Sequence, residues 1–292
     1  MSASIDTGLF LAQLIAGDTV AKAIQLGIEY YPAPPFAERS PAEAPPAVQE
    51  IVRQFEATVG RELLHLRAAL QRRAQPDAVR GEIMRLYAIP FACSLAAHIA
   101  LREAGLEHDI TWVTRTSLAI DGGGDLRDIN PKGKVAALAR VDGTLITENI
   151  AVLLAIADLA PASRLAPPSG TPARLRLYEW LSFVATELHK QVLWAWFNPD
   201  VPQVMKEHVA QRIAPGLLRH PAEALARGQY LLGEEFTVAD AYLFWSLLLL
   251  PQLGVDVDRH PSLVAFRELV RIRPRVREVL SVERNALAAR PG

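Results

Sequence analysis

Hydrophobic residues recur along this chain with spacings that change from one region to the next. Through residue 83 the apolar positions follow helical spacing, interrupted by proline-rich segments. Residues 84–165 instead alternate short apolar runs of strand length with helical stretches. Over residues 171–285 the spacing is helical again. The pattern predicts a mainly α-helical N-terminal extension (1–83), an α/β domain (84–165) and an all-α domain (171–285).

The α/β region predicts a thioredoxin-like order of strands and helices. The dipeptide Asp142-Gly143, between two of the strand-length runs, is a strong signal for a β-hairpin. The predicted strands cover residues 86–89, 108–114, 136–141 and 145–147, and the predicted helices cover residues 94–104 and 150–159.

Cys93, the single cysteine of the sequence, lies at the predicted start of the first of these helices, shortly after Pro90. Unpaired N–H groups and the helix dipole at such a position favour a thiolate over a thiol. This context predicts that Cys93 contacts a ligand. The alternative is a buried, unreactive cysteine that packs as a small hydrophobic side chain.

A polar stripe is predicted on the long helix that begins at Thr171-Pro172. It consists of Ser182, Thr186, His189 and Lys190. These positions share one face of an α-helix, which is either solvated or lines a cleft. Trp194 and Phe197 follow, and they either form the wall of an apolar pocket or pack in a core or dimer contact.

A wholly apolar helix is predicted at residues 242–250, after a capping-box pattern formed by Thr237 and Asp240. We interpret the capping pattern as structural and assign it no chemistry. The apolar run is about half the length that a membrane-spanning helix needs.

Composition excludes several classes of protein. Half of the residues are hydrophobic, and 31 basic residues nearly balance 32 acidic ones, so neither nucleic-acid nor membrane binding is expected. One cysteine rules out an intrachain disulfide and indicates a reducing compartment, which we take to be the cytoplasm. His65 has no second ligand at metal-binding spacing, and no metal is expected.

Five motifs in residues 84–285 resemble the glutathione S-transferases, most closely the bacterial beta class. In chain order they are ACSLAAHIALREAG, INPKGKV, DGTLITENIAVLLAIADL, EWLSFVATELHK and FTVADAYLF. The resemblance implies a thioredoxin-like domain that binds glutathione, followed by an all-helical domain. It also implies a homodimer, with glutathione as a co-substrate and no permanently bound cofactor.

The resemblance also implies roles for individual residues. Cys93 would face the glutathione sulfur as the catalytic residue, and Trp194 and Phe197 would line a hydrophobic co-substrate pocket. The implied glutathione-binding residues are Cys93, Val135, Glu148, Asn149, Ser182, Thr186, His189 and Lys190. From the residues alone, a helix-capping acid at the entrance of a helix is the commoner interpretation of Glu148.

Two positions depart from the family pattern. The family has a cis Val-Pro pair where this chain has Val135-Ala136. Because a cis bond costs more before alanine than before proline, either the bond is trans and the backbone donors shift, or strain weakens the site. We expect glutathione to bind, but more weakly than is usual for the family. Leu118 stands where the beta class has a lysine for the glutathione carboxylate, and Arg115 or Arg127 would have to replace it.

Residues 2–55 resemble a different family. They are similar to the C-terminal end of ThiJ/PfpI-superfamily proteins of the isonitrile-hydratase kind. The nucleophilic cysteine of that family precedes the matching segment, so we expect its activity to be absent here. The extension is therefore assigned no catalytic role.

Three functional hypotheses follow. The first is a glutathione S-transferase that conjugates glutathione to small apolar electrophiles, or exchanges disulfides through Cys93. The second is a non-catalytic binding module for apolar ligands or a protein partner. The third gives the chain a composite function through its extension.

Overall fold

The computed structural model describes residues 9, 12–13, 17–27, 45–50, 53 and 83–290. The chain divides into two compact units, Met1–Pro76 and Asp77–Gly292. In the first unit the described residues include helix α1, Asp18–Gly27, as the apolar spacing predicts. The proline-rich segment at residues 30–36 and most of the helix predicted at 48–73 lie outside the described residues.

The second unit begins with a four-stranded sheet in the order β2-β1-β3-β4. Strand β1 is parallel to β2 and antiparallel to β3, and β3 pairs antiparallel with β4. The strands are β1 Met84–Ala88, β2 His108–Trp112, β3 Ala137–Ala139 and β4 Leu145–Thr147. The hairpin predicted at Asp142-Gly143 is confirmed: Gly143 has a φ of 84° and its N–H donates to the carbonyl of Arg140.

Three helices accompany the sheet: α2 Ser94–Ala104, α3 Leu126–Ile129 and α4 Asn149–Leu159. Helix α2 follows β1 directly and ends at Gly105, whose φ of 70° suits a left-handed cap. Its residues Leu95, Ile99 and Leu101 are fully buried. The strand-and-helix order is thus the thioredoxin-like order that the sequence predicts.

The rest of the second unit is helical. Helix α5 consists of Pro172–Phe183, a π-helical section Val184–Leu193 and a last turn Trp194–Phe197. The later helices are α6 Gln203–His208 with its continuation Val209–Ile213 and Ala214–Leu225, α7 Val238–Leu249, α8 Pro261–Arg271 and α9 Pro274–Ala288. In the part of the chain that the structure describes, no helix combines the length and the apolarity that crossing a bilayer requires.

Helix α7 is the centre of the core, because Tyr242, Phe244 and Trp245 on it are all fully buried. Its start is fixed by the buried carboxylate of Asp240. This carboxylate accepts the N–H of Thr237 at 2.8 Å, the hydroxyl of Thr237 at 2.9 Å and the N–H of Leu231 at 2.8 Å. Both the capping interaction and the all-round burial predicted for this helix are confirmed.

A buried polar pair joins the last helix to the sheet region. Glu283 on α9 is fully buried, and its Oε1 lies 2.8 Å from Nδ1 of His98 on α2. Its second oxygen, Oε2, accepts the backbone N–H of Phe91 at 2.9 Å. Both carboxylate oxygens therefore have partners, as a buried carboxylate requires.

Glu283→Gln is expected to lower the free energy of unfolding by about 3 kcal/mol, because an amide supplies only one acceptor and leaves a buried donor unpaired. Glu278→Gln on the same helix is the control. Glu278 pairs with Arg102 at the surface, and its loss should cost less than about 1 kcal/mol. Urea unfolding at pH 7 measures both values, and equal losses would contradict the prediction.

Candidate active site

A cleft of about 480 Å³ lies between the sheet region and helices α5 and α7 of the second unit. Its walls come from the loop after β1, the segments around residues 115–118 and 133–136, the start of α4, and the facing sides of α5 and α7. Of the predicted site residues, the cleft is lined by Cys93, Val135, Glu148, Asn149, Thr186, His189, Lys190, Trp194 and Phe197.

The loop after β1, residues 89–93, is held from several sides. The hydroxyl of Ser94 lies 3.2 Å from both the N–H and the carbonyl oxygen of Ile89. Phe91 has a φ of 54°, its N–H donates to Glu283, and its carbonyl accepts the indole N–H of Trp245 at 3.1 Å. Since these partners come from α7 and α9, the helical region fixes the loop that carries Cys93.

Cys93 occupies the N-cap position of α2 without a side-chain capping bond, and its thiol Sγ donates to the carbonyl of Val135 at 3.2 Å. Burial raises the pKa of this thiol to about 11, although the positive charges of Lys190 and Arg115 and nearby backbone N–H groups lower it. The prediction that Cys93 is a thiolate is therefore wrong. Desolvation outweighs the helix N-terminus, because only 8% of the residue is exposed.

The peptide bond between Val135 and Ala136 is cis. A trans bond between Val135 and Ala136, one of the two alternatives that the sequence left open, is therefore excluded. Ala136 is buried, and the carbonyl of Val135 points toward Cys93.

Glu148 and Asn149 lie where β4 leads into α4. Glu148 has a φ of 73° and makes no side-chain cap of the helix, so the capping role considered for it is wrong. Its carboxylate pairs with Lys132, and that hydrogen bond holds its pKa below the usual range. The side-chain amide of Asn149 is buried, and among the described residues neither its nitrogen nor its oxygen has a hydrogen-bond partner, so both are available to a ligand.

His189 is hydrogen-bonded to a residue that the sequence analysis did not assign to the site. Its Nδ1 lies 2.6 Å from the hydroxyl of Tyr242, and its ring meets that of Trp245 edge-on at 4.6 Å. Burial, together with the charges of Lys190 and Lys134, lowers the pKa of His189 to about 4. Burial raises the pKa of Tyr242, so both rings are neutral at pH 7.

Tyr242 and Trp245 also line the cleft, and sequence reasoning missed them because their helix is apolar all round. One signal was available in the sequence. A phenol and an indole on a fully buried helix each need a hydrogen-bond partner, which points to a polar neighbour such as the cleft.

The polar stripe predicted on α5 is divided in the structure. Thr186, His189 and Lys190 line the cleft, whereas Ser182 is exposed and is not among the lining residues. The helix becomes π-helical at Val184, so α-helical spacing no longer relates Ser182 to the residues after it. The backbone carbonyl of Ser182 accepts the Thr186 hydroxyl at 3.0 Å.

The two aromatic residues predicted for a pocket, Trp194 and Phe197, line the cleft and are 50% and 40% exposed. The guanidinium of Arg115 lies over the ring of Phe197, 5.2 Å from its centre. Arg127, the other candidate to replace the family lysine, pairs with Asp125 and does not line the cleft. Leu118 is a lining residue.

Among the described residues no group of three or more His, Cys, Asp or Glu is placed to hold a metal ion.

Comparison with known proteins identifies the fold and the family. Residues 92–159 match the family model for the N-terminal domain of glutathione S-transferase, and residues 186–282 match the model for its C-terminal domain. Glutathione S-transferase GstA of Escherichia coli O157:H7 is 37% identical over 200 residues, covering 68% of this chain and 98% of that protein. The chain belongs to the glutathione S-transferase family.

Solved structures of the family agree with this assignment. A bacterial beta class glutathione S-transferase of Sphingomonas chungbukensis superposes with a TM-score of 0.65 at 38% identity, covering 68% of this chain and 98% of its own. A sphingomonad glutathione S-transferase complexed with glutathione gives the same TM-score, identity and coverage. The resemblance to the beta class is confirmed.

The second resemblance is confirmed as well. Isonitrile hydratase of Pseudomonas putida is 46% identical over 57 residues, which are 20% of this chain and 25% of that protein. The chain therefore matches only about a quarter of the length of that relative.

Alkylation of Cys93 tests the protonation state of the site. With a thiol pKa of about 11, the rate of reaction with iodoacetamide should rise about tenfold per pH unit from pH 7 to 10, as the thiolate fraction does. Mass spectrometry follows the reaction at this single cysteine. In urea the rate should instead level off near pH 9. A plateau below pH 9 in the folded protein would contradict the prediction.

Proposed function

We propose that this family member is a glutathione transferase that binds glutathione in the cleft beside Cys93 and conjugates it to small electrophiles. The observation that carries the proposal is the convergence of Cys93, Val135, the Glu148-Asn149 pair, and His189 with Lys190 on one cleft. These groups come from four separate parts of the chain. Such convergence of polar groups in a cleft is the usual sign of a binding site.

The charges of the cleft match those of glutathione, which has one ammonium group and two carboxylates. Glu148 is ionised and can accept the ammonium group. The unpartnered amide of Asn149 can donate to a carboxylate at the first turn of α4, where the helix N-terminus also favours an anion. Lys190 and Lys134, which lie close enough to lower the pKa of His189, are available for the second carboxylate. Ser182 and Thr186 were also predicted to bind glutathione, and of these Thr186 lines the cleft.

Cys93 would act as a hydrogen-bond donor. Because its pKa is about 11, it keeps its proton at neutral pH and can donate S–H to the thiolate of glutathione. The glutathione sulfur then forms a bond to the electrophilic carbon, and the leaving group departs with its electron pair. Disulfide exchange needs Cys93 itself as a thiolate, which its burial disfavours. Conjugation is therefore the activity that the geometry supports better.

Substitution of Cys93 tests this role. Cys93→Ser keeps a donor at the same place, so kcat/KM for conjugation of 1-chloro-2,4-dinitrobenzene should stay within about threefold. Cys93→Ala removes the donor and should lower kcat/KM about tenfold. Both variants should lose exchange with glutathione disulfides. Full exchange activity in Cys93→Ser would contradict the assignment, as would equal conjugation by the serine and alanine variants.

The non-catalytic alternative predicts retention on glutathione resin without turnover of 1-chloro-2,4-dinitrobenzene. Family membership favours the enzyme, because relatives named glutathione S-transferase match residues on both sides of the cleft.

We further propose the domain limits 1–83, 84–165 and 171–285, a homodimer and a cytoplasmic location. The extension should be dispensable for transferase activity, since the described residues that line the cleft all lie in the second unit. Deletion of residues 1–76 should leave kcat/KM for conjugation within about twofold and keep the protein folded by circular dichroism. Loss of conjugation by the folded deletion variant would instead favour a composite function.

A further inference from the structure

One cation of the cleft is not needed for glutathione in the arrangement proposed above. Arg115 has no carboxylate within ion-pair distance among the described residues, and its one hydrogen bond there is a long one, 3.4 Å, to the carbonyl of Pro90. Lys132 and Arg127, by contrast, pair with Glu148 and Asp125. An unpaired guanidinium beside a cleft is suited to an anionic ligand.

The position of Arg115 places it beside an aromatic residue of the cleft. Its guanidinium lies over the ring of Phe197, 5.2 Å from the ring centre, and Trp194 also lines the cleft. The positive charge of Arg115 also acts on the thiol of Cys93, so this cation lies near the place proposed for the glutathione sulfur. We call Arg115, Phe197 and Trp194 the Arg115 side of the cleft.

The chemistry of the Arg115 side is both aromatic and cationic. A guanidinium that stacks on a ring through its face keeps the N–H groups at its edge available for a carboxylate or sulfonate. The rings of Trp194 and Phe197 are about half exposed and offer apolar surface in the same cleft. A ligand that satisfies both features has a flat apolar ring and one acidic group.

We propose that the preferred co-substrates are aromatic electrophiles that carry a carboxylate or sulfonate, with the acidic group bound by Arg115 and the ring against Phe197 and Trp194. This inference rests on the proposed transferase function and narrows its substrate class from apolar to anionic aromatic. With a chloronitrobenzoate, the glutathione sulfur bonds to the ring carbon, chloride leaves with the bonding electrons, and the thiol proton passes to solvent.

The test compares a neutral and an anionic substrate of the same reaction, 1-chloro-2,4-dinitrobenzene and 4-chloro-3,5-dinitrobenzoate. Arg115→Gln should raise KM for the benzoate at least about tenfold and KM for the neutral substrate less than about threefold. KM for glutathione should change less than about threefold. Arg115→Lys keeps the charge without the planar edge and should give an intermediate KM for the benzoate.

Arg140→Gln is the matched control, because Arg140 pairs with Asp142 in the hairpin and does not line the cleft. It should leave both substrates unaffected. A rise in KM for glutathione in Arg115→Gln equal to the rise for the benzoate would overturn the proposal, because Arg115 would then bind a glutathione carboxylate. Equal losses with both electrophiles would also overturn it.

A binding measurement separates this inference from the transferase function. 3,5-Dinitrobenzoate has no leaving group, so its affinity for the full chain can be measured by calorimetry whether or not the protein turns substrates over. Binding that weakens at least about tenfold in Arg115→Gln supports the subsite even if conjugation fails. Turnover of the neutral substrate without binding of this anion would leave the transferase function standing and reject the subsite.

Discussion

The structure of the site depends on how the main chain of Phe91 is held. Its N–H donates to Glu283 on α9 and its carbonyl accepts from Trp245 on α7. The residue has a positive φ, a conformation that side chains other than glycine rarely adopt without such support. Two residues later the chain reaches Cys93. The position of the thiol is therefore set by helices far along the chain as well as by its own strand and helix.

This constraint explains why burial dominates the electrostatics of the cleft. The fixed loop buries Cys93, and the contacts of α5 with α7 bury His189, so desolvation favours the neutral forms of both. The charges of Lys190 and Arg115 reduce the effect on the thiol without reversing it. A neutral thiol and a neutral imidazole can donate or accept hydrogen bonds, so the protein supplies donors and charge to an anionic ligand rather than a nucleophile of its own.

The sequence predicts the architecture well because its signals are local. Strand-length runs, the Asp142-Gly143 turn and the Thr237–Asp240 cap each act within a few residues. Each is found in the structure, with the ends of the first three strands shifted by one or two residues from the predicted bounds. The contacts of Glu283 and Trp245 with Phe91 span 192 and 154 residues, so no local pattern could reveal them. The prediction that Ser182 lies on the cleft face with Thr186 and His189 was wrong for a related reason, since no local sequence pattern indicates that the helix becomes π-helical at Val184.

Helix α7 joins the stability of the fold to the chemistry of the site. Asp240 fixes the first turn, and through it the rotation of the helix about its axis. That rotation directs Tyr242 toward His189 and Trp245 toward Phe91. All three side chains are buried in one core, so none can move without disturbing its neighbours. A motif with no chemistry of its own thus positions the two aromatic groups that border the cleft, and a change at Asp240 would alter stability and the site together.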